Sequence, residues 1–366
     1  MMQKESFGFQ EAVSLAVISI SVKVFYTSPS IVSNFVGTAS WYMTLISALT
    51  ASLGFTIIFL LLKRFKGKNL VEVYEASLGR IAGSAFSLIT SGFLMFVAAT
   101  QLREASEVIK IYVLLMSPIS FLIGISIIVV VVLSFLGLET IARVCKFVAF
   151  PLLVLLIAVF SLSSQKYELH RMAPIFGHGL GNTLMHGIRR CSVYGEVIIL
   201  AIFADSLHGI NHIKKSGYIS IILSGLIISA SFLSFILAFP YYTAEEVVAP
   251  IYQMVALINY GIFFERFDPI FLFVWDISTT LAIVVLFYSS ISMFAKVFRI
   301  KDARPVILPA AIILFNVSMM PKNLMQVVSG STQSIRELGW IFFYVLPLAA
   351  LVISLIRGRK VMEKNA

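Results

Sequence analysis

The chain has 366 residues, of which 59% are hydrophobic and only 13% charged, and its mean hydropathy is +0.96. A soluble domain is about a quarter charged, so these values exclude a soluble enzyme or carrier. The net charge of +10 would suggest a nucleic-acid partner in a soluble chain; here it follows from the positive-inside rule, and no nucleic acid is expected.

Continuous apolar runs such as 121-FLIGISIIVVVVLSFLGL-138 read as transmembrane helices, and they exclude a β-barrel, whose strands alternate apolar and polar residues. The opening MMQKESFGFQEAVSLAVIS has no small-residue cleavage site after a short apolar region, so it reads as a retained first span. Ten spans are predicted, at 10–36, 41–62, 82–109, 117–138, 142–163, 182–204, 217–239, 268–295, 305–321 and 337–356. The fold class is therefore an all-α polytopic membrane protein with one transmembrane domain over 1–366 and the lipid bilayer as its surroundings. With a cytoplasmic N-terminus, 18 of the 28 Lys and Arg residues fall on inner segments, seven (Arg336 among them) on outer ones and three inside spans. That asymmetry places both termini in the cytoplasm. Cys145 and Cys191 fall in or beside spans and read as buried thiols. Residues 68–83 read as a short amphipathic helix on the inner interface, and the apolar middle of 240–269 as a helix over the outer mouth.

Ten spans divide into two halves of five. Five is odd, so corresponding helices run in opposite directions, as in an inverted repeat with a site between broken helices. The repeats are about 10–163 and 182–356, and spans one and six should carry the breaks. Span one contains 22-VKVFYTSPSIV-32. Ser28 before Pro29 is an N-cap and N1 signature in mid-membrane, so one helix would end near Tyr26 and a second would start at Ser28. Its free amides would favour an anion. A simple proline kink is the alternative.

Span six contains 187-GIRRCSVYGEVIILAIFAD-205. Ionisable groups at the bilayer centre are costly. Gly195 permits unwinding there, Glu196 would open an inner half-helix, and Arg189 and Arg190 would end the outer one, with one Arg paired to Glu196. The alternative leaves both arginines at headgroup level. Lys23 either pairs with an acidic group or snorkels inward. The expected ligand site comprises Tyr26, Thr27, Ser28, Ser30, Phe96, Thr100, Ser192, Tyr194, Gly195, Asp276 and Thr279, beside a buried charge network of Lys23, Arg189, Arg190 and Glu196. Arg103, Glu104 and Glu107 are expected at the wet outer end of span three, and Ser278 and Thr279 to bond their own helix backbone. There is no phosphate loop, no His/Cys metal spacing and no nucleophile–base pair, so no cofactor, metal or catalytic residue is expected.

The stretches ESFGFQEAVSLAVIS, 69-NLVEVYEASLGRIAG-83, 191-CSVYGE-196 and 263-FFERFDPIFLFVW-275 together resemble the B subunits of spore germinant receptors, the GerAB-type family. Glu265, Arg266, Asp268 and Trp275 carry the most specific match. The resemblance spans essentially the whole chain. It implies the amino acid–polyamine–organocation superfamily and a LeuT-like five-plus-five fold. It also implies the endospore inner membrane, partner A and lipoprotein C subunits, and a small-molecule germinant such as an amino acid. The polar 25-FYTSPS-30 with Lys23 departs from the family pattern, so no germinant identity is carried over; Lys23 would replace a sodium ion or touch the ligand. Three readings result: a ligand-sensing subunit, a proton-coupled amino acid or amine transporter, and a structural subunit with a vestigial pocket.

Overall fold

The structure, a computed structural model, describes residues 7–26, 28–240, 249–256, 258 and 268–358. Its elements are α-helices joined by short 3₁₀ turns, with no strand among the described residues. Seven helical stretches are long and apolar enough to cross a bilayer, and Arg304–Met319 is a shorter apolar helix. The chain is a multi-pass membrane protein.

Helix α1 (Phe9–Ser21) runs into a 3₁₀ turn (Val22–Phe25) and stops at Tyr26, whose backbone is extended at φ −88° and ψ −160°. A new helix, α2 (Ser28–Val36), begins at once with Pro29 in its first turn. Proline lacks an N–H, and the first turn of a helix is where that loss costs least, so the break lies where the sequence places it. Helix α3 (Ser40–Arg64) returns across the membrane. Helix α4 (Leu70–Leu78) is short and opens with a capping box between Asn69 and Glu72. Gly79, at φ +94°, turns the chain directly into α5 (Arg80–Tyr112). That left-handed conformation has no steric cost only for glycine.

Helices α6 (Ile119–Leu136) and α7 (Leu138–Ser163) follow, and then the sixth span departs from regular geometry. It consists of α8 (Leu180–Arg189), a nine-residue 3₁₀ segment (Arg190–Ile198) and α9 (Ile199–Ile202). A 3₁₀ run of that length is uncommon, because its hydrogen bonds are poorly aligned. The chain continues through α10 (Ile210–Ala238), α11 (Pro250–Ala256), α12 (Asp268–Val297) and α13 (Arg304–Met319). The last helix, α14 (Leu324–Ile356), contains two π-helical segments, Val327–Thr332 and Ile341–Val345. Hydropathy alone starts this span at 337; the polar run before it is nevertheless helical, and it turns Thr332 and Arg336 inward while Gln326, Ser329 and Glu337 stay exposed.

In α10 and α12, 67% of the apolar window is buried, against 22% in α6, so the first two form the interior and α6 the lipid-facing edge. Outward positions such as Phe147, Phe150 and Ile128 are exposed apolar residues, as a lipid solvent requires. α12 packs on α5, α7 and α1, and α10 on α3 and α1. Buried serines are satisfied by the backbone one turn earlier, as in Ser19 to Leu15 (2.8 Å) and Ser278 to Val274 (2.7 Å). Both cysteines are free and buried. α4 is held at its start by Asn69, which donates to Asp205 (3.2 Å), and at its end by Arg357, which donates to the Leu78 carbonyl (3.2 Å).

Candidate functional site

The interruptions of spans one and six meet at the centre of the molecule. Lys23 Nζ, on the 3₁₀ turn after α1, forms an ion pair with Glu196 and also donates to the Val193 carbonyl at 2.6 Å. Both charged side chains are almost fully buried. Buried charges persist when they are paired and hydrogen-bonded, which is how the membrane interior accommodates them here.

The 3₁₀ segment of span six is fixed by neighbours on both sides. Tyr194 donates to the Thr44 carbonyl on α3 (3.1 Å), Ser192 to the Arg336 carbonyl on α14 (2.7 Å), and Tyr344 to the Cys191 carbonyl (3.4 Å). A Cβ at Gly195 would collide with the Phe343 ring, so only glycine lets α14 approach this closely.

Beside the ion pair lies a cavity of about 30 Å³ whose polar lining is Lys23, Thr44, Ser47, Arg190, Tyr194, Thr332 and Arg336. That is room for one or two water molecules. Arg190 donates to Gln333 (2.7 Å) and lies 5.1 Å from the centre of the Phe35 ring. Its Nε is buried without a hydrogen-bond partner among the described residues. Thr332 donates to Glu104 (3.1 Å).

Of the residues expected at the site, Lys23, Arg190 and Tyr194 line this cavity. Tyr26, Ser30, Ser192, Gly195, Glu196 and Thr279 are buried around it. Tyr26 packs edge-on against Trp275 at 6.2 Å. Its hydroxyl lies next to that of Thr279, yet neither makes a well-formed hydrogen bond among the described residues. Thr279 thus does not bond its own helix, unlike Ser278. Thr100 is buried on α5 away from the lining, while Phe96 and Asp276 are half-buried and do not reach it. Thr27, the side chain of Ser28, Glu265 and Arg266 lie outside the described residues.

Four expectations need correction. Glu196 pairs with Lys23 and not with Arg189 or Arg190. Arg189 is exposed and does not belong to the buried network, because the one-residue step to Arg190 turns the side chain by about 100° around the helix axis. Glu196 does not open a half-helix; it lies inside the 3₁₀ segment, where Lys23 rather than a helix dipole compensates it. Arg103 and Glu104 are buried, at 3% and 2% exposure, with Arg103 paired to Glu107 at 2.8 Å, rather than at a wet rim.

Arg336 and Thr332 were missed: both belong to the buried face of α14. Their signal in the sequence is a helical spacing, Thr332, Arg336, Gly339, Phe343, that continues an interior face through an otherwise polar run. Among the described residues no three His, Cys, Asp or Glu side chains converge to hold a metal.

The fold is shared with a solved membrane protein. It is similar to Mhp1, a nucleobase-cation-symport-1 family transporter solved in a closed conformation with bromovinylhydantoin bound, at a TM-score of 0.67 and 11% identity, over 96% of this chain and 93% of that one. Residues 9–327 match the family described as spore germination protein, and the chain belongs to that family. It is 26% identical to spore germination protein A2 of Bacillus subtilis strain 168 over 84% of this chain and 85% of the relative. It is 24% identical to spore germination protein YndE of the same organism, over 87% and 88%.

Proposed function

We propose that this chain is the germinant-sensing membrane subunit of a spore germinant receptor. It binds a small molecule, an amino acid or a similar compound, where helices one and six are interrupted, and it signals from there to partner subunits to start germination. The observation that carries this reading is the Lys23–Glu196 pair, which ties the two interruptions together beside a cavity of about 30 Å³. Ligand pockets ordinarily hold about 300–1,000 Å³. A ligand is therefore admitted only as the two interrupted helices part, and binding is coupled to a change of conformation. Membership of the spore germination protein family supplies the process that this change serves.

The rest of the reading follows the resemblance in sequence. The ten spans form a LeuT-like five-plus-five inverted repeat, 10–163 and 182–356, in the endospore inner membrane, with both termini cytoplasmic. The A subunit and the lipoprotein C subunit receive the signal. The wall of the opened site comes from Tyr26, Thr27, Ser28, Ser30, Ser192, Tyr194 and Gly195 at the interruptions, with Phe96, Thr100, Asp276 and Thr279 from spans three and eight.

A second reading, a proton-coupled amino acid or amine transporter, is favoured by the likeness to the nucleobase-cation-symport-1 transporter. Reconstitution of the purified chain in proteoliposomes, with labelled amino acids and a pH gradient, separates the two. Saturable binding without uptake is the expected result. Concentrative uptake abolished by Tyr194→Ala or Lys23→Ala would replace the sensor by the transporter.

A further inference from the structure

Arg336 is a buried cation at the centre of the molecule whose charge-bearing end faces a cavity. α14 holds it at 6% exposure on the cavity wall. No hydrogen bond or ion pair engages its guanidinium among the described residues. Glu196 and Glu104 are within electrostatic reach, but Glu196 is paired with Lys23, and Glu104 accepts from Thr332. Three cations, Lys23, Arg190 and Arg336, line the cavity and no carboxylate among the described residues does; Glu337, hydrogen-bonded to the same Gln333 that Arg190 donates to, is within electrostatic reach of Arg190. Arg190 Nε also lacks a hydrogen-bond partner among the described residues. The two π-helical segments of α14 flank Arg336 on either side, and such insertions concentrate at functional sites. The remainder of the wall is apolar: Val24, Ile31, Val32, Met43, Ile228 and Phe232.

We propose that Arg336, seconded by Arg190, anchors the carboxylate of the ligand, so that the site takes a small monocarboxylate with an apolar tail. This rests on the ligand-site reading above and assigns the recognised group within it. A guanidinium presents a planar fork that matches a carboxylate with two parallel hydrogen bonds. The bound carboxylate supplies the acceptors the guanidinium lacks, and the tail meets the apolar wall. A halide would meet the positive charge but leave the fork and the apolar wall unused.

The test is thermal unfolding of the purified full-length protein in detergent. The probes are apolar α-amino acids from alanine to leucine, their deaminated carboxylates, their primary amides, their decarboxylated amines, and sodium chloride at equal ionic strength. Carboxylate-bearing compounds are expected to raise the midpoint, and the amides, amines and chloride to leave it unchanged. In Arg336→Gln the apparent affinity for carboxylates should fall on the order of 10- to 100-fold. The unliganded variant should unfold at no lower temperature, since no hydrogen bond of the side chain is lost. Equal stabilisation by amides, amines or chloride, or a carboxylate effect that survives Arg336→Gln, overturns the anchor and leaves the ligand site standing. Stabilisation by no compound overturns the ligand site for this class, and the anchor with it.

Discussion

Two lysine–carboxylate pairs close the interior, and the same chemistry means different things in each. Lys23 and Glu196 are 2% and 1% exposed at the meeting of two interrupted helices. Lys296 and Asp205 are each 27% exposed, 3.2 Å apart, on the wall of a second cavity of about 1020 Å³. Water reaches the second pair, so Lys296 shares itself among Asp205, the Ile202 carbonyl (3.2 Å) and the face of Phe203. Lys23 meets only the small central cavity. Its pair is a commitment between two helices, while the Lys296 pair is one contact among several that solvent can replace.

Removing one partner should separate the two most sharply. Lys23→Met leaves Glu196 charged and buried, and a loss of about 3–5 kcal/mol in unfolding stability is expected. The double change Lys23→Met/Glu196→Gln should recover much of it. A double variant no more stable than the single one would show that the carboxylate finds another partner. The packing that fixes Glu196 is tested next. Gly195→Ala pushes a methyl group into the Phe343 ring, with an expected cost of about 1–3 kcal/mol, partly relieved by Phe343→Leu. Equal destabilisation with and without the smaller partner would break that account. The smallest effect belongs to the open pair: Lys296→Gln should cost less than about 1 kcal/mol. That cost should shrink as salt is raised, whereas the cost of Lys23→Met should not.

The apolar spans were legible because lipid imposes composition on a continuous run. The interruption of span one was legible because its cause is local: Pro29 cannot continue the preceding helix, and Ser28 precedes it. Span six was half legible. Gly195 marked the region, but the 3₁₀ geometry is set by Thr44, Arg336 and Phe343, which meet it only in the fold. The partner of Glu196 was sought among its sequence neighbours Arg189 and Arg190 and lies 173 positions away, at Lys23. Arg336 was assigned to an outer loop because averaged hydropathy cannot distinguish a polar loop from a helix that turns its polar side toward an interior cavity.

The two ties on α4 join the parts of the molecule that wall the central cavity. Asn69 fastens its first turn to Asp205, just beyond span six, and Arg357 fastens its last residue, Leu78, to the end of α14. α4 is thus a strut between the ends of both elements. When a guest at the centre spreads span six from α14, the strut must tilt, stretch or let go at one end. On the proposed reading, a parting of the two central elements is handed to a nine-residue helix that both of them hold.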